Sequence, residues 1–205
     1  MKTLRFILLA ALILSCAASR VSAQGTIAYY NPEPDLFYHA FDSGSTLDLD
    51  LNGDGSKDLR FRYNAGYSIA TPLRGGGILS DPWGATALQI GDAVGADIGT
   101  KVWVGIGTGT LVAFAGSFDP RSPEASGQFK NKDAYLGFQL VEGGQAYYGW
   151  MHLSNFDAPG ASLYIKEWAY NTTPGQSITV GQVPEPGTIT LLVTGGVLLV
   201  WRRRK

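Results

Sequence analysis

The chain reads as all-β, an antiparallel β-sandwich or jelly roll, and three observations carry that expectation. Short segments rich in β-branched and aromatic residues recur between clusters of Gly, Pro, Asn and Asp. One of them, Leu59-Arg60-Phe61-Arg62-Tyr63, alternates apolar and charged residues as a half-buried strand should. No stretch between residues 24 and 182 sustains a 3.6-residue apolar period.

Taken in order, the expected strands are Thr26–Tyr30, Ser45–Leu51, Leu59–Tyr63, Thr86–Ile90, Lys101–Ile106, Thr110–Ala115, Ala134–Val141, Gln145–Leu153, Ser162–Tyr170 and Ser177–Val180. Glu142-Gly143-Gly144 joins two of the strongest as a hairpin turn, because glycine reaches the left-handed backbone that tight hairpins require. Thr71 to Trp83 and Asp119 to Asp133 read as long surface loops from their Gly, Pro and polar content. Ten short strands with turn punctuation favour two packed sheets over a helical architecture. Gln176 to Gln182 leads out of this body toward the C-terminus.

The two ends differ in kind from the body. Lys2 and Arg5 precede an apolar run from Phe6 to Leu14, and Val21-Ser22-Ala23 offers a small-residue cleavage site between Ala23 and Gln24. Residues 1–23 are therefore expected to be a signal peptide. A competing reading, a lipobox at Ile13-Leu14-Ser15-Cys16, is a poorer match. At the other end, Val183-Pro184-Glu185-Pro186 is followed by an uncharged run from Thr188 to Trp201 and by Arg202, Arg203, Arg204 and Lys205. As a helix, about 14 residues span roughly 21 Å, shorter than a 30 Å hydrocarbon core. Local thinning, snorkelling or an earlier helical start would cover the mismatch. Trp201 suits an interfacial anchor and the basic end suits the cytoplasmic side.

This tail resembles the PEP-CTERM sorting signal of Gram-negative bacteria that export proteins with exopolysaccharide. The resemblance implies an inner-membrane passage and processing near the Pro-Glu-Pro box by an exosortase, a membrane cysteine transpeptidase, after signal peptidase has acted at the N-terminus. The plain alternative is a permanent membrane anchor. Either way residues 183–205 would be an address, and residues 24–182 a single body. Tyr147-Tyr148-Gly149-Trp150 and Glu167-Trp168-Ala169-Tyr170, followed by Thr172, Thr173 and Gly175, resemble a recurrent, uncharacterised body among such proteins.

Removing both ends changes the composition that matters. Cys16 is the only cysteine and lies in the expected signal peptide, so the mature body has no disulfide, thiol nucleophile or thiolate metal site. Nine basic and 16 acidic residues remain between Gln24 and Gln182, a net charge of about −7. Nucleic acid and anionic membrane both reward basic patches, so neither is an expected partner of this body. Cations are the more natural ligands.

One segment fits such a ligand. Asp50-Leu51-Asn52-Gly53-Asp54-Gly55-Ser56-Lys57-Asp58 places oxygen ligands at positions 1, 3, 5 and 9 with glycine at 6. Ca²⁺ takes six to eight oxygens, and alternate residues of a tight loop converge on one point, with Ser56 offering its main-chain carbonyl. The pattern resembles the calcium loops of FG-GAP-type repeats and dockerin-like modules, although Phe61 stands where an EF-hand has its bidentate Glu. The alternative is an Asx-rich hairpin turn with no metal. In either case its expected role is structural.

Tyr148, Trp150 and His152 fall on one face of a strand, with Tyr147, Met151 and Leu153 on the other. Left open, the Tyr-Trp-His face could stack on sugar rings and make the body a carbohydrate-binding module for exopolysaccharide. Covered, it is sheet core. Catalysis finds little footing: the histidines, His39 and His152, lie in no metal-ligand spacing, and no Gly-x-Ser-x-Gly elbow is present. The expected protein is thus a non-catalytic surface or matrix protein.

Overall fold

The computed structural model describes residues 27–38, 45–64, 67–81, 84–105, 112–113, 128–129, 132–155 and 163–184. The expected signal peptide and the expected membrane-spanning tail helix lie outside the described residues, as does His39. The described residues form antiparallel sheets and contain no helix.

In chain order the strands are β1 (Ile27–Tyr30), β2 (Leu36–Tyr38), β3 (Thr46–Leu49), β4 (Leu59–Asn64), β5 (Tyr67–Pro72), β6 (Gly77–Asp81), β7 (Gly84–Ala85), β8 (Ala87–Leu88), β9 (Ala93–Val94), β10 (Val102–Gly105), β11 (Val112–Ala113), β12 (Asp133–Glu142), β13 (Gln145–Asn155), β14 (Leu163–Asn171) and β15 (Ile178–Thr179). The main sheet runs β1-β14-β13-β12-β6-β10, with β2 also on β14, β7 on β6 and β8 on β12. A second sheet runs β11-β5-β4-β3, and β15 pairs with β9.

The long hairpin β12–β13 is the frame. Asp133 to Glu142 pairs with Gln145 to Ser154, and Gly143 and Gly144 make the turn at φ 56° and 78°. Its alternation sorts side chains onto two faces. Ala134, Leu136, Phe138, Leu140, Met151 and Leu153 point to one face, where they meet Leu49, Leu59, Phe61 and Ala70 of the second sheet in a single buried cluster. Tyr135, Tyr148 and Trp150 point to the other, where Val94, Ile178 and Val180 cover them. The main sheet is therefore buried on both sides.

A register shift between β13 and β14 falls at His152/Leu153, where His152 faces Glu167 and Leu153 faces Ile165. Lys166 is the extra residue of this bulge, which bends a strand and re-aims its side chains. That slip lets both Ile165 and Trp168, three apart, reach the same core.

The segment Thr71 to Trp83 departs from expectation. It reads as a surface loop, yet Gly77 to Asp81 is β6, interior to the main sheet between β12 and β10, with Gly77, Ile78, Leu79 and Ser80 buried. Its glycines serve close packing: a Cβ on Gly76 would stand 2.6 Å from the Gln139 carbonyl oxygen, and one on Gly105 would stand 2.9 Å from that of Gly76. In the Asp119 to Asp133 segment, most residues lie outside the described ones, but Phe129 is buried in the first cluster and Asp133 opens β12. An apolar anchor there was hidden by its polar neighbours.

Candidate functional site

The Asp50–Asp58 segment connects β3 to β4, and the hairpin sets its geometry. Leu49 faces Leu59, the Asp58 amide donates to the Leu49 carbonyl at 2.8 Å, and Asp48 pairs across with Arg60 through two hydrogen bonds of 2.6 and 2.7 Å. Gly53 and Gly55 turn the chain at φ 77° and 86°, where a side chain would be strained. The acidic and amide side chains then fold back onto the loop. Asp50 accepts the Gly53 and Gly55 amides at 2.7 and 2.8 Å, and Asn52 accepts that of Asp54 at 3.1 Å. Asp54 accepts the Ser56 amide at 2.7 Å, and Asp58 accepts the buried Leu51 amide at 2.8 Å.

Arg74 completes this cluster from the turn after β5. The Leu73 amide donates to the Asp58 carbonyl at 2.7 Å, and Arg74 adopts a left-handed φ of 53°. Its Nη1 lies 2.9 Å from Asp54 Oδ2 and 3.7 Å from Asp58 Oδ1. The electrostatics of the two carboxylates diverge. The Arg74 guanidinium, then the Ser56 amide, hold Asp54 down at about 2. Burial pushes Asp58 up, an effect the Leu51 amide opposes.

The loop is also bolted to the main sheet. Trp168 Nε1 donates to the Leu51 carbonyl at 3.0 Å and Tyr30 Oη to that of Asn52 at 3.2 Å, while the two rings stack with centroids 5.3 Å apart. All five residues proposed as ligands thus meet in one loop, Ser56 through its amide. Among the described residues, however, no group of three or more His, Cys, Asp or Glu side chains is placed to hold a metal ion. The loop's charge is met by its own amides and by Arg74, a residue that sequence spacing could not link to a segment some 16 positions earlier.

The Tyr148, Trp150, His152 face is shared as expected, but it is not open. Tyr148 and Trp150 are 5% and 0% exposed, beneath Val94, Ile178, Val180 and Trp103. This corrects the stacking platform: β9, β15 and Trp103 occupy the space a sugar ring would need. Trp103 packs on Tyr148 at 5.5 Å, and Tyr135 meets Trp150 edge-on at 5.5 Å.

At the rim of that face four strands bring polar groups together. His152 Nε2 lies 2.7 Å from Asp133 Oδ1, and its Nδ1 lies 3.3 Å from Glu167 Oε1. Tyr29 donates to Glu167 Oε2 at 2.5 Å, Lys166 stands 3.8 Å from Asp133, and the Tyr135 ring stacks on the imidazole at 4.4 Å. The Glu167 hydrogen bond, followed by burial, pushes Tyr29 up to about 12. A neutral imidazole has one N–H and serves one carboxylate; serving both takes the imidazolium. Sequence reading missed this cluster because the bulge sets which residue faces His152.

The processing residues divide at the edge of the described chain. Val183 and Pro184 are exposed, whereas Glu185, Pro186, Ala23 and Gln24 lie outside the described residues. No curated protein and no solved structure matches this chain. A family model matches at the C-terminus, beginning one residue before the expected boundary, and by it residues 182–205 are a PEP-CTERM protein-sorting motif.

Proposed function

We propose that this protein is an exported substrate of an exosortase, a non-catalytic cell-surface or matrix protein whose β-sandwich body is delivered by its C-terminal tail. The sorting motif at residues 182–205 is the observation that carries this reading. In it, signal peptidase cuts between Ala23 and Gln24, the tail helix holds the chain transiently in the inner membrane, and exosortase acts near Pro184, Glu185 and Pro186. The two-sheet body with one shared core suits a sandwich, and its double-sided main sheet gives a disulfide-free domain enough buried surface to stand outside the cell. Both nitrogens of His152 face carboxylates, which leaves that ring poorly placed to act as a base on a substrate.

The test is localisation in an exosortase-bearing host. With exosortase present the protein is expected at the surface or in the matrix; without it, the protein should accumulate in the inner membrane. Equal distributions in the two strains would refute the reading.

A structural Ca²⁺ in the Asp50–Asp58 loop is a separate part of the proposal. Asp50, Asn52, Asp54 and Asp58 supply hard oxygens, with the Ser56 carbonyl as a further ligand, and Arg74 stands where the charge of a cation is wanted. Calcium and the guanidinium would therefore compete. Titrating residues 24–182 with Ca²⁺ should raise the melting temperature, more so in Arg74→Gln. No shift in either protein removes the ion from the account.

A further inference from the structure

The turn that leads into the sorting motif is tied into the body itself. Ile178 and Thr179 pair with Val94 and Ala93, and Ile178 and Val180 are 2% and 1% exposed in the second core cluster. Val180 then bonds the turn Gln89–Asp92 on both sides: its amide donates to the Asp92 carbonyl at 2.8 Å and its carbonyl accepts the Gly91 amide at 3.0 Å. The Gln182 amide donates to the Thr179 carbonyl at 2.9 Å, and the Thr179 amide donates to the Gln182 side-chain oxygen at 3.1 Å. Gln182, the first residue of the sorting motif, is thus part of the fold.

No long linker separates this anchor from the apolar run. Five residues, Val183 to Gly187, stand between Gln182 and Thr188, and two of them are prolines. Six Cα steps reach at most about 22 Å. The headgroup zone takes up about 5–8 Å of that on each side of a bilayer. With the tail inserted, the exit corner of the body is held within about 17 Å of the lipid surface.

That corner exposes two apolar side chains beside Gln89 and Asp92. Ile90 is 74% exposed, the most exposed large hydrophobic residue among the described ones, and Val183 is 42% exposed. The Ile90 side chain lies over Gly181, whose φ of +83° makes the exit turn; a Cβ there would be 3.4 Å from Ile90 Cγ2. Residues 89–94 and 180–184 contain one ionisable group, Asp92, whose carboxylate accepts the Gln89 amide at 2.8 Å. A protruding isoleucine with a single carboxylate beside it, Asp92, fits the interface of a zwitterionic lipid layer, where apolar side chains gain by leaving water.

We infer that the corner formed by Ile90, Gly181 and Val183 is a membrane-seating surface that holds the body against the lipid headgroups while the sorting tail is inserted. It rests on the delivery reading above and adds to it a fixed body orientation in the step before processing. The short, proline-bearing connection then presents the Pro-Glu-Pro box at the membrane surface.

The test uses the chain from Gln24 to Lys205, which has no cysteine of its own, in phosphatidylcholine vesicles carrying headgroup nitroxides, with a bimane probe on Ile90→Cys. Gln89→Cys serves as a second probe site, and Lys57→Cys as a control on the opposite layer. The chain should float with the vesicles, with quenching at positions 89 and 90 severalfold stronger than at 57. A 12-residue Gly-Ser insertion between Gln182 and Val183 should abolish the difference while flotation persists. Flotation with equal quenching at all three sites overturns the seating surface and leaves delivery standing. Failure to float overturns the tail reading and the seating surface with it. Quenching or protection at position 90 that needs added exosortase makes the partner a protein and overturns the lipid contact.

Discussion

Two polar clusters sit on this body, and they are built in opposite ways. The Asp50–Asp58 loop draws four side chains from nine consecutive residues and satisfies them largely with its own backbone amides. The His152 cluster draws Tyr29, Asp133, His152 and Glu167 from four strands up to 138 positions apart and satisfies them with one another. The first depends on local chain geometry and is bolted to the core. The second depends on strand register and lies at a rim. Deletions in the loop should therefore cost stability, and deletions at the rim should chiefly move titrations.

The largest effect is expected at Asp58. Its carboxylate is the partner of the buried Leu51 amide, so Asp58→Ala leaves that donor unpaired at a cost of about 1–3 kcal/mol, read from urea unfolding. Next come the two buried tryptophans. Trp168→Phe loses the bond to the Leu51 carbonyl, whereas Trp150 Nε1 has no hydrogen-bond partner among the described residues. Both changes shrink the ring alike, so Trp168→Phe should exceed Trp150→Phe by about 1 kcal/mol. Equal losses would mean that the loop is not held through Trp168.

At the rim, His152→Ala removes hydrogen bonds to Asp133 and Glu167 and the Tyr135 ring contact, and should cost about 1 kcal/mol, less than Asp58→Ala. Glu167→Gln should lower the Tyr29 titration from about 12 toward the ordinary tyrosine value. In the parent protein that raised value means stabilisation fully present below pH 10 and lost as pH rises through about 12. Ultraviolet titration of the tyrosines checks both.

The smallest effect belongs to Arg74→Gln, whose signature is a shift of Asp54 upward from about 2, measured by NMR. The loop's two displaced carboxylates pull stability in opposite directions. Asp54, held down, contributes stability above its ordinary value that is lost as pH falls through about 2. Asp58, pushed up, contributes stability below the ordinary carboxylate value that is lost as pH rises through its folded value. Arg74→Gln should weaken the first trend and leave the second in place.

The same contrast explains what could be read from the residues. Alternation in Leu59–Tyr63, the Gly143-Gly144 turn and the faces of β13 are local, and each of the ten expected strands has its counterpart among the fifteen strands of the described residues. β6 was hidden because glycines that permit close strand approach look the same as glycines that make loops. β5 and β9 carry too short or too mixed a pattern to signal a strand. The loop residues of Asp50–Asp58 were legible as a group, but Arg74 was not, since its place depends on the β4–β5 hairpin and the turn beyond it. Glu167 faces His152 only because Lys166 is bulged. Burial of Tyr148 and Trp150 depends on β9 and β15, which arrive from both sides of the chain.

The central claim is that the tail is an address removed on delivery, and intact mass of the surface-exposed form tests it most directly. The account predicts a chain beginning at Gln24 and ending near the Pro-Glu-Pro box, without the apolar run and the basic end, and a longer, membrane-held form when exosortase is absent. A surface form that retains residues 188–205 would contradict it and make the tail a permanent anchor.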